Sequence, residues 1–287
     1  MTPSVSFEFF PPRDLEASFK LWDTVQSLAC LDPSFVSVTY GAGGTTRDLT
    51  RDAVKALHSS AGLNVAAHLT CVDASRDETL EIANEFALAG VQEIVALRGD
   101  PPKGEARFSP HPDGFSDACE LITALADMDR FTIRVGAYPE VHPEAASMQA
   151  GIDWLKRKID AGADEAITQF FFEADTFFRF RDACAAAGIT APITPGILPI
   201  ENWKGARRFA ESCGTSIPAW LSDAFTKAER DGREDLLATA VATELCAGLV
   251  EGGVEHLHFY TLNKPEMTRD ICMALGLRPR VSLRQVA

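Results

Sequence analysis

The stretch SFEFFPP, residues 6–12, sets a single carboxyl, Glu8, among Phe7, Phe9 and Phe10. Rings that exclude water disfavour the charged form of an acid. The setting is therefore expected to raise the pKa of Glu8 and suit it to general acid chemistry near neutrality. A buried glutamate paired with a cation such as Arg98 is the plainer reading. His68, in AAHLTC, has three readings: a hydrogen bond to a cofactor, a metal ligand, or a satisfied core histidine. His256 and His258 alternate, which puts two imidazoles on one face of a strand. Metal-dependent barrels use such pairs, but usually with more His and acidic partners elsewhere. A metal-dependent hydrolase is thus the alternative reading, and no metal site is assigned. Cys71 has no legible His and carboxylate partners and reads as a structural thiol. GAGGTT, at 41–46, carries Thr46 where GxGxxG needs its third glycine. It reads as a flexible loop that lets a ligand approach the backbone, not as a dinucleotide fingerprint.

Elements must position these groups. Apolar runs bounded by turn signals mark eight strands, at 5–10, 35–40, 64–69, 93–97, 132–138, 165–171, 193–198 and 255–261. Helical patterns lie between them at 15–30, 48–59, 77–88, 116–127, 144–161 and 175–186, with two or three more between 202 and 250. Gly90, Gly162 and Gly188 stand at expected helix C-caps. Strand starts recur about every 30 residues, the length of one βα unit. Eight such units predict an α/β fold, a closed (β/α)8 TIM barrel. Extra helices are expected before the eighth strand, where the interval doubles. An open doubly wound sheet is disfavoured because no glycine fingerprint opens the first unit. Residues 1–279 read as one domain and 280–287 as a loose tail.

Barrel enzymes place reactive groups at the C-terminal strand ends. Here those ends carry Glu8; Thr39 and Tyr40; His68; Arg98 and Asp100; Tyr138, Glu140 and His142; Gln169; and Tyr260, Asn263 and Lys264. The opposite charges in VALRGDPP are then the fourth strand's contribution to a pocket. An adhesion role for the RGD triplet is set aside. With 27 Lys and Arg against 41 Asp and Glu, the net charge is −14, which argues against nucleic acid and anionic membranes as partners. Seven scattered cysteines without a CxxC pair fit a reducing cytoplasm. The N-terminus has no signal-peptide pattern, and the apolar runs are too short to span a bilayer.

Together the strand ends resemble the methylenetetrahydrofolate reductase family. The matching segments are SFEFFPPR (6–13), FVSVTYGAGG with TRD (35–48), AAHLTCVDAS (66–75), IVALRGDPP (94–102), GAYPEVHPE (136–144), LKRKIDAGAD (155–164), AITQFFF (166–172), PGILPI (195–200) and HFYTLN (258–263). The resemblance implies a flavin-binding catalytic barrel, commonly a dimer or tetramer. It also implies a ping-pong reaction in which NADH or NADPH reduces FAD and methylenetetrahydrofolate then receives the hydride. In that scheme Glu8 is the acid, and Asp100 contacts the pterin near the flavin. The resemblance places FAD against Tyr40, Ala42, His68, Arg98, Gly99, Asp100, Phe115, Ser116, Tyr138, His142, Ala145, Arg157 and Lys158. It places the exchanging substrates against Thr39, Asp100, Gln169 and Phe209, and the folate's glutamate carboxylate against Lys264. The loop at 103–114 is longer than in many bacterial members, which leaves the matching of Phe115 and Ser116 open.

Overall fold

The computed structural model describes residues 2–40, 47–100 and 108–280. Ala42 with the GAGGTT loop, residues 101–107, and the expected tail beyond Arg280 lie outside the described residues. The chain runs β1 (Ser4–Phe9), α1 (Leu15–Ala29), β2 (Phe35–Val38), α2 (Arg47–Ala61), β3 (Val65–Thr70), α3 (Arg76–Leu88), β4 (Glu93–Leu97) and α4 (Ala118–Ala126). It continues through β5 (Thr132–Ala137), α5 (Met148–Asp160), β6 (Glu165–Thr168), α6 (Ala174–Ala186), β7 (Ile193–Thr194) and β8 (Gly196–Ile197). Three helices follow without a strand, α7 (Trp203–Cys213), α8 (Ala219–Asp231) and α9 (Glu234–Glu251), before β9 (His256–Tyr260) and α10 (Pro265–Ala274).

All strand pairings are parallel, in the order β7-β6-β5-β4-β3-β2-β1-β9-β8. The two end members are halves of the expected seventh strand, separated by Pro195. Proline has no N–H to give a ladder. β7 therefore bonds only to β6 and β8 only to β9, while the Pro195 carbonyl still accepts from His258 N at 3.1 Å. The ring closes across this break, and the barrel with extra helices before its last strand is the architecture observed.

Strand alternation divides the packing. Val5, Phe7 and Phe9 of β1 join Leu21, Val25 and Leu28 of α1 in the main core between strands and helices. The other face of the strands holds a small separate cluster of Phe35, Ala66, Val95 and Ile167. Ser4, Ser6 and Glu8 share that inner face. Helix starts follow local capping. Asp14 Oδ1 accepts from Ala17 N at 2.8 Å, and Ser75 with Glu78 forms a capping box. α4 and α5 begin later than the periodicity predicts because Asp117 and Ser147 cap them.

The join at Pro195–Gly196 leaves no room. A Cβ on Gly196 would overlap the Thr168 carbonyl and lie 2.6 Å from Tyr260 Cε2. Gly196→Ala is expected to destabilise the barrel by about 2 kcal/mol or more, read as a lowered urea midpoint with an unchanged m-value.

Candidate active site

Register sets the strand ends against one another. Glu8 on β1 stands opposite Ser37 of β2 and Tyr260 of β9. Its contacts with described residues fall on Oε2: His68 Nε2 at 3.2 Å, Ser37 Oγ at 3.4 Å and His258 Nε2 at 3.8 Å. Both imidazole nitrogens are buried and neither completes a well-aligned hydrogen bond. Tyr260 packs edge-on to His258 and donates its hydroxyl to the Thr168 carbonyl at 2.6 Å.

This geometry corrects the expectation of a raised pKa. Burial does push the Glu8 carboxyl up, but the imidazoles of His258 and His68 outweigh it and hold the group at about 2. Phe7 and Phe9 are neighbours in sequence only. They point to the helix side of the strand, opposite Glu8, and Phe10 is exposed. Nor does Arg98 pair with Glu8, since its guanidinium meets Glu144 at 2.6 Å.

At the ends of β3, β4 and β5 and along α5 opens a cavity of about 550 Å³, which Glu8 does not itself line. Tyr40, Arg98, Gly99, Asp100, Tyr138, His142, Ala145 and Lys158 line it. Gly99 has a φ of +87°, and a Cβ there would meet Val72 Cγ2 at 2.5 Å. Backbone and loop can approach this closely only without a side chain. His142 packs edge-on to Tyr138 with ring centroids 4.4 Å apart. Burial pushes the Tyr138 phenol up to about 12. Arg47 Nε donates to the Tyr40 hydroxyl at 2.9 Å.

The remaining expected residues stand off the lining. His68 sits with Glu8. Phe115 is in the core with the Arg76 guanidinium 4.8 Å over its ring. Ser116 is exposed and gives its N–H to Glu120 at 3.0 Å. Arg157 lies over the ring of Trp154, which does line the cavity. Among the expected substrate residues, Thr39 donates its N–H to Phe9 O, Gln169 accepts from Phe170 N, and Phe209 packs on Phe170 at 5.1 Å. Lys264 lies 4.0 Å from Glu201. A second cavity, about 570 Å³, opens at the strand beginnings near Gln92 and Arg130. It gathers none of these groups.

A family model described as methylenetetrahydrofolate reductase matches residues 1–276. The chain belongs to that family. It is 47% identical to the 5,10-methylenetetrahydrofolate reductase of Escherichia coli (strain K12) over 277 residues, 96% of this chain and 92% of that one. It is 37% identical to methylenetetrahydrofolate reductase (NADH) 1 of Arabidopsis thaliana, covering 95% of this chain but 48% of that protein. In fold it is similar to an uncharacterized protein from Clostridium thermocellum described as binding two copies of 5-methyl-5,6,7,8-tetrahydrofolic acid. That match has a TM-score of 0.63 at 17% identity, over 95% of this chain and 94% of that one. The reductase family does not support the metal-hydrolase alternative. His256 and His258 bond to serines of β1, and among the described residues no group of three His, Cys, Asp or Glu could hold a metal.

In this reductase chain three contributors escaped sequence reading. His258 was weighed only as half of a metal pair, although SVSFE and HLHFY carry matching alternation that could have set it beside Glu8. Trp154 lies one helical turn before Lys158, a spacing that puts both on one face of α5. Glu144 pairs with Arg98 across the loop, which no local pattern announces.

Lys158 has a distinct electrostatic position. It is buried, and its ammonium donates to the Gly136 carbonyl. Burial pushes it down to about 8. Folding therefore releases a proton between about pH 8 and 10.5, and the cost of the buried ammonium is full below pH 8 and relieved as pH rises through that window. Lys158→Met is expected to stabilise the ligand-free protein at pH 7 by about 1–3 kcal/mol and to remove the rise in stability above pH 8. Thermal melts from pH 6 to 10 check both.

Proposed function

We propose that the protein reduces methylenetetrahydrofolate to methyltetrahydrofolate with FAD, using NADH or NADPH. The observation that carries this reading is Glu8 held between two imidazoles at the strand ends of a barrel whose strand-end cavity holds a buried ammonium with no carboxylate partner among the described residues. Family membership supplies the reaction class.

The cavity suits a flavin dinucleotide. Ala96, Ala118, Gly136, Ala137, Ala145 and Ala150 leave a slot with little side-chain bulk. Among the described residues, no carboxylate forms an ion pair with Lys158, so a diphosphate would supply the missing anion. Arg157, held over Trp154 at the rim, would add a second charge. Tyr138, His142 and Arg98 would flank the remainder. A flavin held by these residues would supply hydride transfer between the nicotinamide and the folate.

The chain's own task is the proton. Opening the folate's five-membered ring requires protonation of a weakly basic nitrogen. Glu8 is ionised at rest in the open site. A flat substrate over the mouth removes water from the carboxylate, strengthens the burial that pushes its pKa up, and draws a proton onto it. Glu8 then gives that proton to the ring nitrogen. Asp100, exposed at the cavity edge, would favour the cationic iminium that follows. Gln169 and Phe209 would hold the exchanging substrates, while Lys264 would meet the folate's glutamate tail.

Glu8→Gln separates the two half-reactions. In anaerobic stopped-flow, nicotinamide-driven bleaching of the flavin should continue near the wild-type rate. Reoxidation by methylenetetrahydrofolate should fall ~10²–10⁴-fold, the usual contribution of a general acid. Equal loss in both halves would remove Glu8 from the acid role.

A further inference from the structure

The inner face of β1 and β9 carries a chain of polar groups that the reaction described above leaves unused. Parallel register sets Ser4 opposite His256, Ser6 opposite His258 and Glu8 opposite Tyr260. Ser4 Oγ lies 2.7 Å from His256 Nδ1, and His256 Nε2 lies 2.8 Å from Ser6 Oγ. Ser6 Oγ in turn lies 2.7 Å from His258 Nδ1, and His258 Nε2 faces Glu8 Oε2 at 3.8 Å. His256 thus uses both ring nitrogens, whereas His258 bonds through Nδ1 and leaves its buried Nε2 unbonded, facing Glu8. Ser4 is exposed at the strand beginnings, His256 is half-buried, and Ser6 and His258 are fully buried.

We propose that Ser4, His256, Ser6 and His258 form a relay that carries protons from solvent at the strand beginnings, through the barrel interior, to Glu8. The inference rests on the reductase reading, because only a reaction that consumes a proton at Glu8 needs one returned. Once folate covers the mouth, the strand-end route from solvent to that carboxylate is blocked, whereas this path enters from the opposite end.

The bonding sense is continuous from Ser4 to His258. With Ser4 donating to His256 Nδ1, the His256 Nε2–H donates to Ser6, the Ser6 hydroxyl donates to His258 Nδ1, and the His258 Nε2–H points at Glu8. When Glu8 has given its proton to the folate nitrogen, the carboxylate closes the 3.8 Å gap to His258 Nε2, the Nε2 proton replaces the one lost, and the Ser6 proton moves to His258 Nδ1. The His256 Nε2 proton then moves to Ser6, and a solvent proton arriving through Ser4 goes to His256 Nδ1. One proton enters, one leaves, and no electrons move. Each ring regains its first tautomer when the product has left and a proton entering Glu8 from the open mouth passes back along the same groups to solvent at Ser4. Ser4 Oγ also lies 3.0 Å from the Glu255 carbonyl, so its hydroxyl can turn between that acceptor and the relay.

The surroundings keep the path dry and oriented. Phe35 stacks on both imidazoles, at 5.8 and 5.7 Å, and carries the Arg134 guanidinium 3.9 Å over its ring. Arg134 is neutralised by Glu93 and Glu165, and Tyr260 packs edge-on to His258. Burial, reinforced by His258 and Arg134 and opposed by Glu165, holds His256 down at about 4. At pH 7 the ring is neutral and can accept on one nitrogen while donating from the other.

These residues act through Glu8 as positioning and proton-supplying groups, so the test follows protons as well as rate. The flavin-loaded enzyme is mixed anaerobically with methylenetetrahydrofolate in H2O–D2O mixtures. The wild type should reduce folate with a bowed proton inventory, the mark of several protons in flight. Ser6→Ala should slow the folate half-reaction ~10-fold or more with folate KM unchanged and the inventory straightened. Ser6→Thr, which keeps the hydroxyl, should recover the rate. His256→Phe, at the half-buried outer station, should act as Ser6→Ala does, and it decides alone if Ser6→Ala does not fold. Wild-type rates with a bowed inventory in the folded variants overturn the relay while the reductase reading stands. A wild type that reduces no methylenetetrahydrofolate overturns both.

Discussion

A carboxylate taken out of water needs partners, and Glu8 finds its partners across strands rather than along one. His68 reaches it from β3, Ser37 from β2 and His258 from β9, all on one oxygen. That convergence requires four strands to hold register at their C-terminal ends, because a slip of one residue would turn Glu8 toward the helices. The main core of Val5, Phe7, Phe9 and the α1 leucines fixes this register from the other face. Packing outside the sheet is thus what aims the acid inside it.

The inside of the ring departs from the branched apolar layers usual in such barrels. Arg134 lies between Glu93 and Glu165, Thr194 donates to Glu165 at 2.6 Å, and the serines and histidines of β1 and β9 fill the space beside them. Buried charges of this kind are weak evidence for stability, since desolvation opposes their attraction. Their effects on His256 oppose one another, Glu165 raising its pKa and Arg134 lowering it, so that burial decides that the ring stays neutral. On the cavity side the arrangement is reversed, with Lys158 having no carboxylate partner among the described residues.

Much of the fold was legible in the sequence because each βα unit is a local pattern, with alternating or continuous apolar residues, a capping side chain and a glycine at the helix end. Glu8, His68, Arg98, Asp100, Tyr138 and Lys158 were legible as candidates for the same reason, standing at strand ends or on a patterned helix, and the structure sets Glu8 against His68 and brings the other four to one cavity. What stayed hidden depended on non-local register. Phe7 and Phe9 looked like the lining around Glu8, whereas period-2 geometry sends them to the far side of the sheet. His258 looked like half a metal site until β9 was set against β1, some 250 residues away in the chain. Pro195 was visible as a proline, but its effect, dividing one strand into two short pieces, depends on where both neighbours lie.

That division has a mechanical consequence. A closed barrel has no sheet edge, yet here β7 and β8 each hold a single neighbour through two residues apiece. The wall between β6 and β9 is a zip with few teeth. Thermal breathing should begin there, and amides of Ile193, Thr194 and Ile197 should exchange with solvent long before those of β3 and β4.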